Sequence, residues 1–177
     1  AFIGAFKNGI PSAPSWTYQR GFAATFGLVN PTFTTTSVRL LGLSEDSVAP
    51  AYRKCIEDHL STAGVDYDAA IVVLQDAHAR LPDPINPYLQ AKATLLMHGV
   101  VSQECRFSTI SGGEADLQWK LPNIATAMYA KLGGTPWTVA QAQNADDEIV
   151  VGMGLAELSN SRFEERHRYT GITTVFR

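Results

Sequence analysis

Ala69-Ala70-Ile71-Val72-Val73-Leu74 runs six residues without a polar side chain. A strand with one wet face alternates polar and apolar residues. An unbroken run is the pattern of a strand covered on both faces, as in a parallel sheet with helices on either side. Downstream, Gln75–Asn86 reads as a polar loop with Pro82 and Pro84. Pro87 suits the first turn of a helix expected to run to His98, with Gly99 closing it. Val100–Phe107 reads as the next strand and Ser111-Gly112-Gly113 as a loop. Leu117–Leu132 then reads as a second long helix, ended by Gly133-Gly134. Upstream, Ser37–Leu43 reads as a buried strand. Ser47 to Ala63 places Val48, Tyr52, Cys55, Ile56 and Leu60 on one stripe of an amphipathic helix, with Ser47 as N-cap and Gly64 at its far end. Strands and helices in alternation imply parallel pairing through helical crossovers. The expected class is α/β, a Rossmann-like parallel sheet flanked by helices.

The flanks differ from this middle. Residues 1–36 are rich in Gly, Pro, Ser and Thr with aromatics interleaved, and read as an irregular lead-in with one short strand. Asp146–Glu148 reads as an acidic turn, Ile149–Leu155 as a new strand and Arg168–Phe176 as its hairpin partner. The expected organisation is a lead-in over 1–36, a first domain over 37–144 and the beginning of a second over 145–177. The chain begins without Met and ends inside a strand-like pattern, so a piece of a longer protein is expected.

Of the 177 residues, 45% are hydrophobic and 18% charged, which excludes the disordered class. No apolar run approaches the roughly 18 residues that cross a bilayer. Gly9, Pro11 and Pro14 interrupt the first residues, so a signal peptide is not expected. A net charge of −3 does not announce a nucleic-acid binder, so any such function is expected to rest on a local pocket rather than a basic face. Cys55 and Cys105 lie in unlike contexts, a helix and a strand, and fit two free thiols in a reducing cytoplasm. With His59, His78, His98 and His167 scattered, no metal-ligand spacing appears.

Tyr88 and Lys92 stand four residues apart at the start of the Pro87–His98 helix, on one face of it. Free backbone N–H groups and the helix dipole favour an anion there, and the lysine adds a full charge. The tyrosine offers a flat face for a base, a contact worth roughly 1–3 kcal/mol. Gln103, in the following strand, would present an amide toward the edge of the sheet where ligands of open α/β folds collect. Lys131 ends the second helix. Each has an ordinary structural reading as well: a solvated Tyr–Lys pair, a satisfied strand glutamine, a lysine complementing a helix C-terminus.

The segment Asn123-Ile124-Ala125-Thr126-Ala127-Met128-Tyr129-Ala130-Lys131-Leu132-Gly133-Gly134-Thr135-Pro136-Trp137 resembles the junction between the MID and PIWI domains of Argonaute proteins. In that family an Asn opens a helical stretch ending in Lys-(Leu/Ala)-Gly-Gly, often followed by Pro-Trp in prokaryotic members. The family's guide-end pocket is a Tyr, a Lys four residues on, a Gln in the next strand and that Lys before Gly-Gly. Tyr88, Lys92, Gln103 and Lys131 match it in order, and the resemblance covers roughly residues 37–155. It implies a MID domain followed by the first strands of an RNase H-like PIWI domain. The function it implies is anchoring the 5′-phosphorylated end of a short RNA or DNA guide for recognition of a complementary target, expected to be DNA, in defence against invading DNA. By the same resemblance Tyr88 would stack on the terminal base, while Lys92, Gln103 and Lys131 would bind the phosphate. Asn123 would touch a backbone phosphate, and the loop Gln75–Asn86 would sense the first base. In many members a Mg²⁺ ion and the C-terminal carboxylate of the protein complete the pocket.

Glu148-Ile149-Val150-Val151-Gly152-Met153-Gly154 resembles the first PIWI strand. Slicing Argonautes place there the first carboxylate of a two-metal nuclease site, and such chemistry requires clustered carboxylates. Gly154 stands at that Asp position, and Glu157 lies three residues on, off the pattern. The resemblance therefore implies no catalytic residue and the short prokaryotic type, which works with an APAZ-containing effector protein. The rival readings are the MID portion of a cleaving long Argonaute, a Rossmann-like small-ligand protein or enzyme, and a purely structural module. The first predicts an Asp where Gly154 stands. The second predicts a glycine-rich phosphate loop, and the sequence has neither G-x-G-x-x-G nor G-x-x-x-x-G-K-[ST]. The third predicts that Lys92 and Lys131 lie far apart.

Overall fold

The run Ala69–Leu74 forms strand β1 of the computed structural model, which describes residues 1–14, 18–64, 66–138, 149–158 and 167–176. It pairs in parallel with β2, Val101–Arg106, from Ala69 opposite Val101 to Leu74 opposite Arg106. Helix α4, Pro87–Met97, is the crossover between them. Because side chains alternate along a strand, β1 feeds two cores. Ala69, Ile71 and Val73 pack against one cluster of buried residues, and Ala70, Val72 and Leu74 belong to another. The α/β class is thus as expected. Ser37–Leu43, by contrast, forms no strand. Val38 and Leu40 pack on the second cluster as an extended segment, but Leu41 is 95% exposed. The hydroxyl groups just before it hold it to a helix: Thr34 Oγ1 donates to Tyr67 Oη at 3.2 Å and lies 3.4 Å from His59 Nε2.

That helix, α3, spans Glu45–Ala63, and its cap lies three residues before the expected Ser47. Ser44 is its N-cap, and Glu45 and Asp46 place negative charge on the positive end of the helix. Val48 and Tyr52 are buried with Ala91 and Leu95 of α4 in the second core. Tyr52 Oη also donates to the carbonyl of Val73 at 3.0 Å, tying α3 to β1.

The opposite core corrects the reading of 1–36 as an irregular lead-in. Its described part holds α1, Phe2–Asn8, and α2, Gly21–Phe26. The missed signal was the four-residue spacing of Phe2 with Phe6 and of Phe22 with Phe26, each a single helical face. The helices meet where backbones touch: a Cβ on Gly9 would overlap the backbone of Gln19, and one on Gly21 that of Lys7. Glycine supplies both the clearance and the positive φ, 80° and 74°. The Phe6 and Phe22 rings stack at 4.8 Å, and Tyr18 Oη donates to the carbonyl of Phe6 at 2.9 Å.

Beyond β2 the chain makes a short helix, α5, Phe107–Ile110, and then α6, Glu114–Lys131. Leu117, Leu121 and Ala125 of α6 are fully buried in the core that α1 and α2 share. Truncating either leucine to Ala would cost about 2–5 kcal/mol. Pro122 sits inside α6 and removes one helical hydrogen bond, which this packing offsets. Ala1–Trp137 is one compact unit and Thr138–Arg177 a second. In the second unit, β3, Ile149–Leu158, pairs antiparallel with β4, His167–Phe176, with Gly154 opposite Gly171. The expected acidic turn, Asp146–Glu148, lies outside the described residues.

The loop between β1 and α4 contains two 3-10 turns, His78–Arg80 and Asp83–Ile85. Both ends of it are anchored. Asp76 accepts from the backbone N–H of Ser108 at 2.9 Å and from the Ser108 hydroxyl. These bonds hold the Asp76 carboxyl below its ordinary range, so the tie persists until the pH falls through that lowered value. At the other end Asn86 caps α4. Its Oδ1 accepts from Tyr88 N at 2.9 Å, and its Nδ2 donates to the Leu81 carbonyl at 2.8 Å. Asn86→Ala removes both bonds and is expected to destabilise the protein by about 1 kcal/mol, within the roughly 0.5–2 kcal/mol spread of N-cap losses. Urea denaturation of the two proteins measures it, and equal stability would mean that the cap contributes nothing.

Candidate nucleic-acid end-binding site

Lys131 closes α6, and its ammonium reaches the neighbouring strand. It donates to Gln103 Oε1 at 3.0 Å and to the backbone carbonyl of Ser102. Gln103 shares its face of β2 with Val101 and Cys105, the face turned to the core of α1, α2 and α6. The amide is fixed at both ends, since Gln103 Nε2 donates to the Glu104 carbonyl at 3.1 Å. Lys131 is close enough to act on Cys105: burial pushes that thiol up to about 11, Glu104 adds to the rise and the Lys131 charge opposes it.

Tyr88 and Lys92 form the second pair, on the first turns of α4. Lys92 Nζ lies 3.4 Å from Tyr88 Oη and 5.4 Å from the centre of its ring. Lys92 is exposed, while the Tyr88 ring packs partly against the second core. The Asn86 cap holds Tyr88 at the second residue of the helix by accepting its backbone N–H.

The structure therefore brings the residues together as two pairs, one extending from each core. The hydrogen bonds of Lys92 and Lys131 run within their own pairs. Among the described residues, neither lysine is paired with a carboxylate, unlike Lys54 with Asp58 and Lys120 with Asp116. Two cations here spend their donors on neutral oxygens, an arrangement that an anion can displace with a gain in charge pairing. Asn123 does not join them. It stands eight residues before Lys131 on α6, roughly 12 Å along the axis. It is exposed and lines a shallow cleft with Pro122, Thr126, Ala127, Pro136 and Trp137.

Sequence reading missed two contributors. One is the Ser102 carbonyl, a backbone group that side-chain motifs do not reveal. The other is Asn86, which an Asn directly before a helix-opening Pro could have signalled. Among the described residues no cluster of three His, Cys, Asp or Glu side chains is placed to hold a metal ion, and no helix is long and apolar enough to cross a membrane.

No family model matches the chain. It is, however, 45% identical to a protein argonaute from Cereibacter sphaeroides over 175 residues. These make up 99% of this chain and 22% of that protein, so the chain spans about a fifth of the length of the relative it matches. The match takes in nearly the whole of the chain, and over this segment the chain belongs to the Argonaute family.

Proposed function

We propose that this segment anchors the 5′-phosphorylated end of a guide strand, as the nucleic-acid-binding role of an Argonaute requires. One observation carries the reading: two lysines, each without a carboxylate partner among the described residues, stand beside neutral groups, Lys92 beside the Tyr88 ring and Lys131 beside the Gln103 amide. In this reading the phosphate takes over the ammonium of Lys131 from Ser102 and Gln103 and that of Lys92 from Tyr88. The Gln103 amide turns its N–H toward the phosphate, and the freed face of Tyr88 receives the terminal base. Asn123 serves farther along the strand. Base pairing of the guide then selects the complementary target, and defence against invading DNA is the role this mechanism would serve.

The residues present do not make a site for Mg²⁺. Among the described residues no three His, Cys, Asp or Glu side chains cluster at the pairs, and Gln103 Oε1 and Ser102 O are already held by Lys131. An ion there would depend on the phosphate and water for its ligands, so no step is assigned to one. The expected APAZ-containing effector belongs to the short Argonaute type. The matched relative is about four and a half times the length of the aligned segment, which favours the long type for this chain instead.

Catalysis is read from β3. Gly154 occupies the position where cleaving members carry an Asp, and its backbone neighbour across the hairpin is Gly171. Two metal ions about 3.5–4 Å apart need carboxylates between and around them, and glycine supplies none. The protein in this reading binds and pairs nucleic acid without cutting it.

Two outcomes are expected. A 5′-phosphorylated single strand binds at least about tenfold more tightly than its 5′-hydroxyl counterpart at fixed salt, because each charged hydrogen bond to the phosphate contributes about 1.5–3 kcal/mol. Equal dissociation constants would remove the pocket. The full-length protein, loaded with guide and complementary target in Mg²⁺ or Mn²⁺, leaves the target intact on a denaturing gel. Cleavage at one defined phosphodiester would contradict the assignment of Gly154, and Glu157 would be the first residue to replace.

A further inference from the structure

The last turn of α6 is held from outside the helix. The Tyr129 ring stacks on Phe26 of α2, centres 4.3 Å apart and 15° from parallel. Its other side is closed by Gly134: a methyl group there would overlap the Tyr129 ring. The chain reaches that position through a tight return. Gly133 adopts a φ of 86°, its N–H donates to the Ala130 carbonyl at 3.0 Å, and the N–H of Gly134 donates to the Tyr129 carbonyl at 3.0 Å. The two glycines therefore do different work. Gly133 permits the left-handed turn, and Gly134 lets the chain lie on an aromatic face. Lys131 sits between the ring and the turn, with its ammonium on Ser102 and Gln103.

We infer that Phe26, Tyr129 and Gly134 form a clamp that positions the Lys131 ammonium, so that the N-terminal helix pair is a working support of the phosphate site. The three are positioning residues, since they act through Lys131. A lysine side chain has four rotatable carbons, and an ammonium on the edge of a strand is placed only as well as the backbone that carries it. Stacked rings add a modest attraction beyond their burial, enough to hold one helical turn in place but not enough to decide whether the unit folds. Adding a Cβ at position 134, or removing the ring at position 26, frees the Tyr129 ring and with it the turn. The role in phosphate binding rests on the proposed guide-end reading, whereas the clamp itself does not.

The test uses Gly134→Ala and Phe26→Leu, with Tyr129→Phe as the conservative control that keeps the ring. Two readouts are taken on each folded protein. The first is the rate at which an amine-reactive ester acylates Lys131, followed by peptide mass spectrometry with Lys54 as internal standard. It is expected to rise about fivefold in the first two variants, the factor that goes with one ordinary hydrogen bond, and to stay at the wild-type rate in Tyr129→Phe. The second is the ratio of affinities for 5′-phosphorylated and 5′-hydroxyl strands, expected to fall about tenfold in the first two variants, with 5′-hydroxyl binding unchanged. Unchanged Lys131 acylation in both Gly134→Ala and Phe26→Leu would overturn the clamp whatever the strands do. Raised acylation in a protein whose wild type binds both strands equally would leave the clamp standing and remove the guide-end reading. A uniform loss of affinity for both strands would show that the aromatic stack serves stability alone and would overturn the positioning role.

Discussion

The site depends on an ammonium that, among the described residues, has no carboxylate partner. Lys131 rests on the Ser102 carbonyl and the Gln103 amide oxygen, two neutral acceptors on one strand. A lysine paired with a carboxylate is worth little on a surface and is held there by solvent-screened attraction. A lysine on neutral oxygens gives up those bonds readily to an incoming dianion. The strand that offers the acceptors is fixed by its ladder to β1, and β1 is fixed by the two cores on its faces. The path from the apolar run at 69–74 to the ammonium is therefore short: run, strand, ladder, carbonyl, cation.

The two lysines belong to different halves of this arrangement. Lys92 comes from α4, whose Ala91 and Leu95 are buried with α3, and Lys131 from α6, whose leucines are buried with α1 and α2. Each core sets one cation. Nothing in either helix alone makes a pocket, and for one phosphate to be shared both cores must be intact. In the guide-end reading, residues 1–26 and 44–63 act on binding without touching the ligand. An overall charge of −3 is compatible with this, because attraction is supplied by two placed lysines rather than by a basic surface.

Sequence was informative where one physical term dominated. Ala69–Leu74 could be nothing but a covered strand, and Pro87 and Gly99 bracket a helix whose ends depend on backbone chemistry. It misled where tertiary packing overrode local pattern. Ser37–Leu43 has the alternation of a strand but packs its apolar residues on the core that α3 shares, while Thr34 just before it bonds to His59 and Tyr67. Residues 1–36 carry the punctuation of a loop, yet four phenylalanines at helical spacing found a core in α6. Of the site, the residue types were legible, and so was the Tyr88–Lys92 pair, which is local. The Lys131–Gln103 contact spans 28 residues and became visible only with the fold. The separate roles of Gly133 and Gly134 likewise needed the Tyr129 ring in view.

The central claim is that Lys92 and Lys131, set by separate cores, meet on one phosphate. A double-mutant cycle tests it directly: wild type, Lys92→Ala, Lys131→Ala and the double variant, each titrated with one 5′-phosphorylated strand at constant salt. Residues that share a ligand couple, so the loss in the double variant should differ from the sum of the single losses by more than the roughly 0.3–0.5 kcal/mol within which independent sites add. Losses that add within that margin would contradict the claim and leave two lysines with separate business.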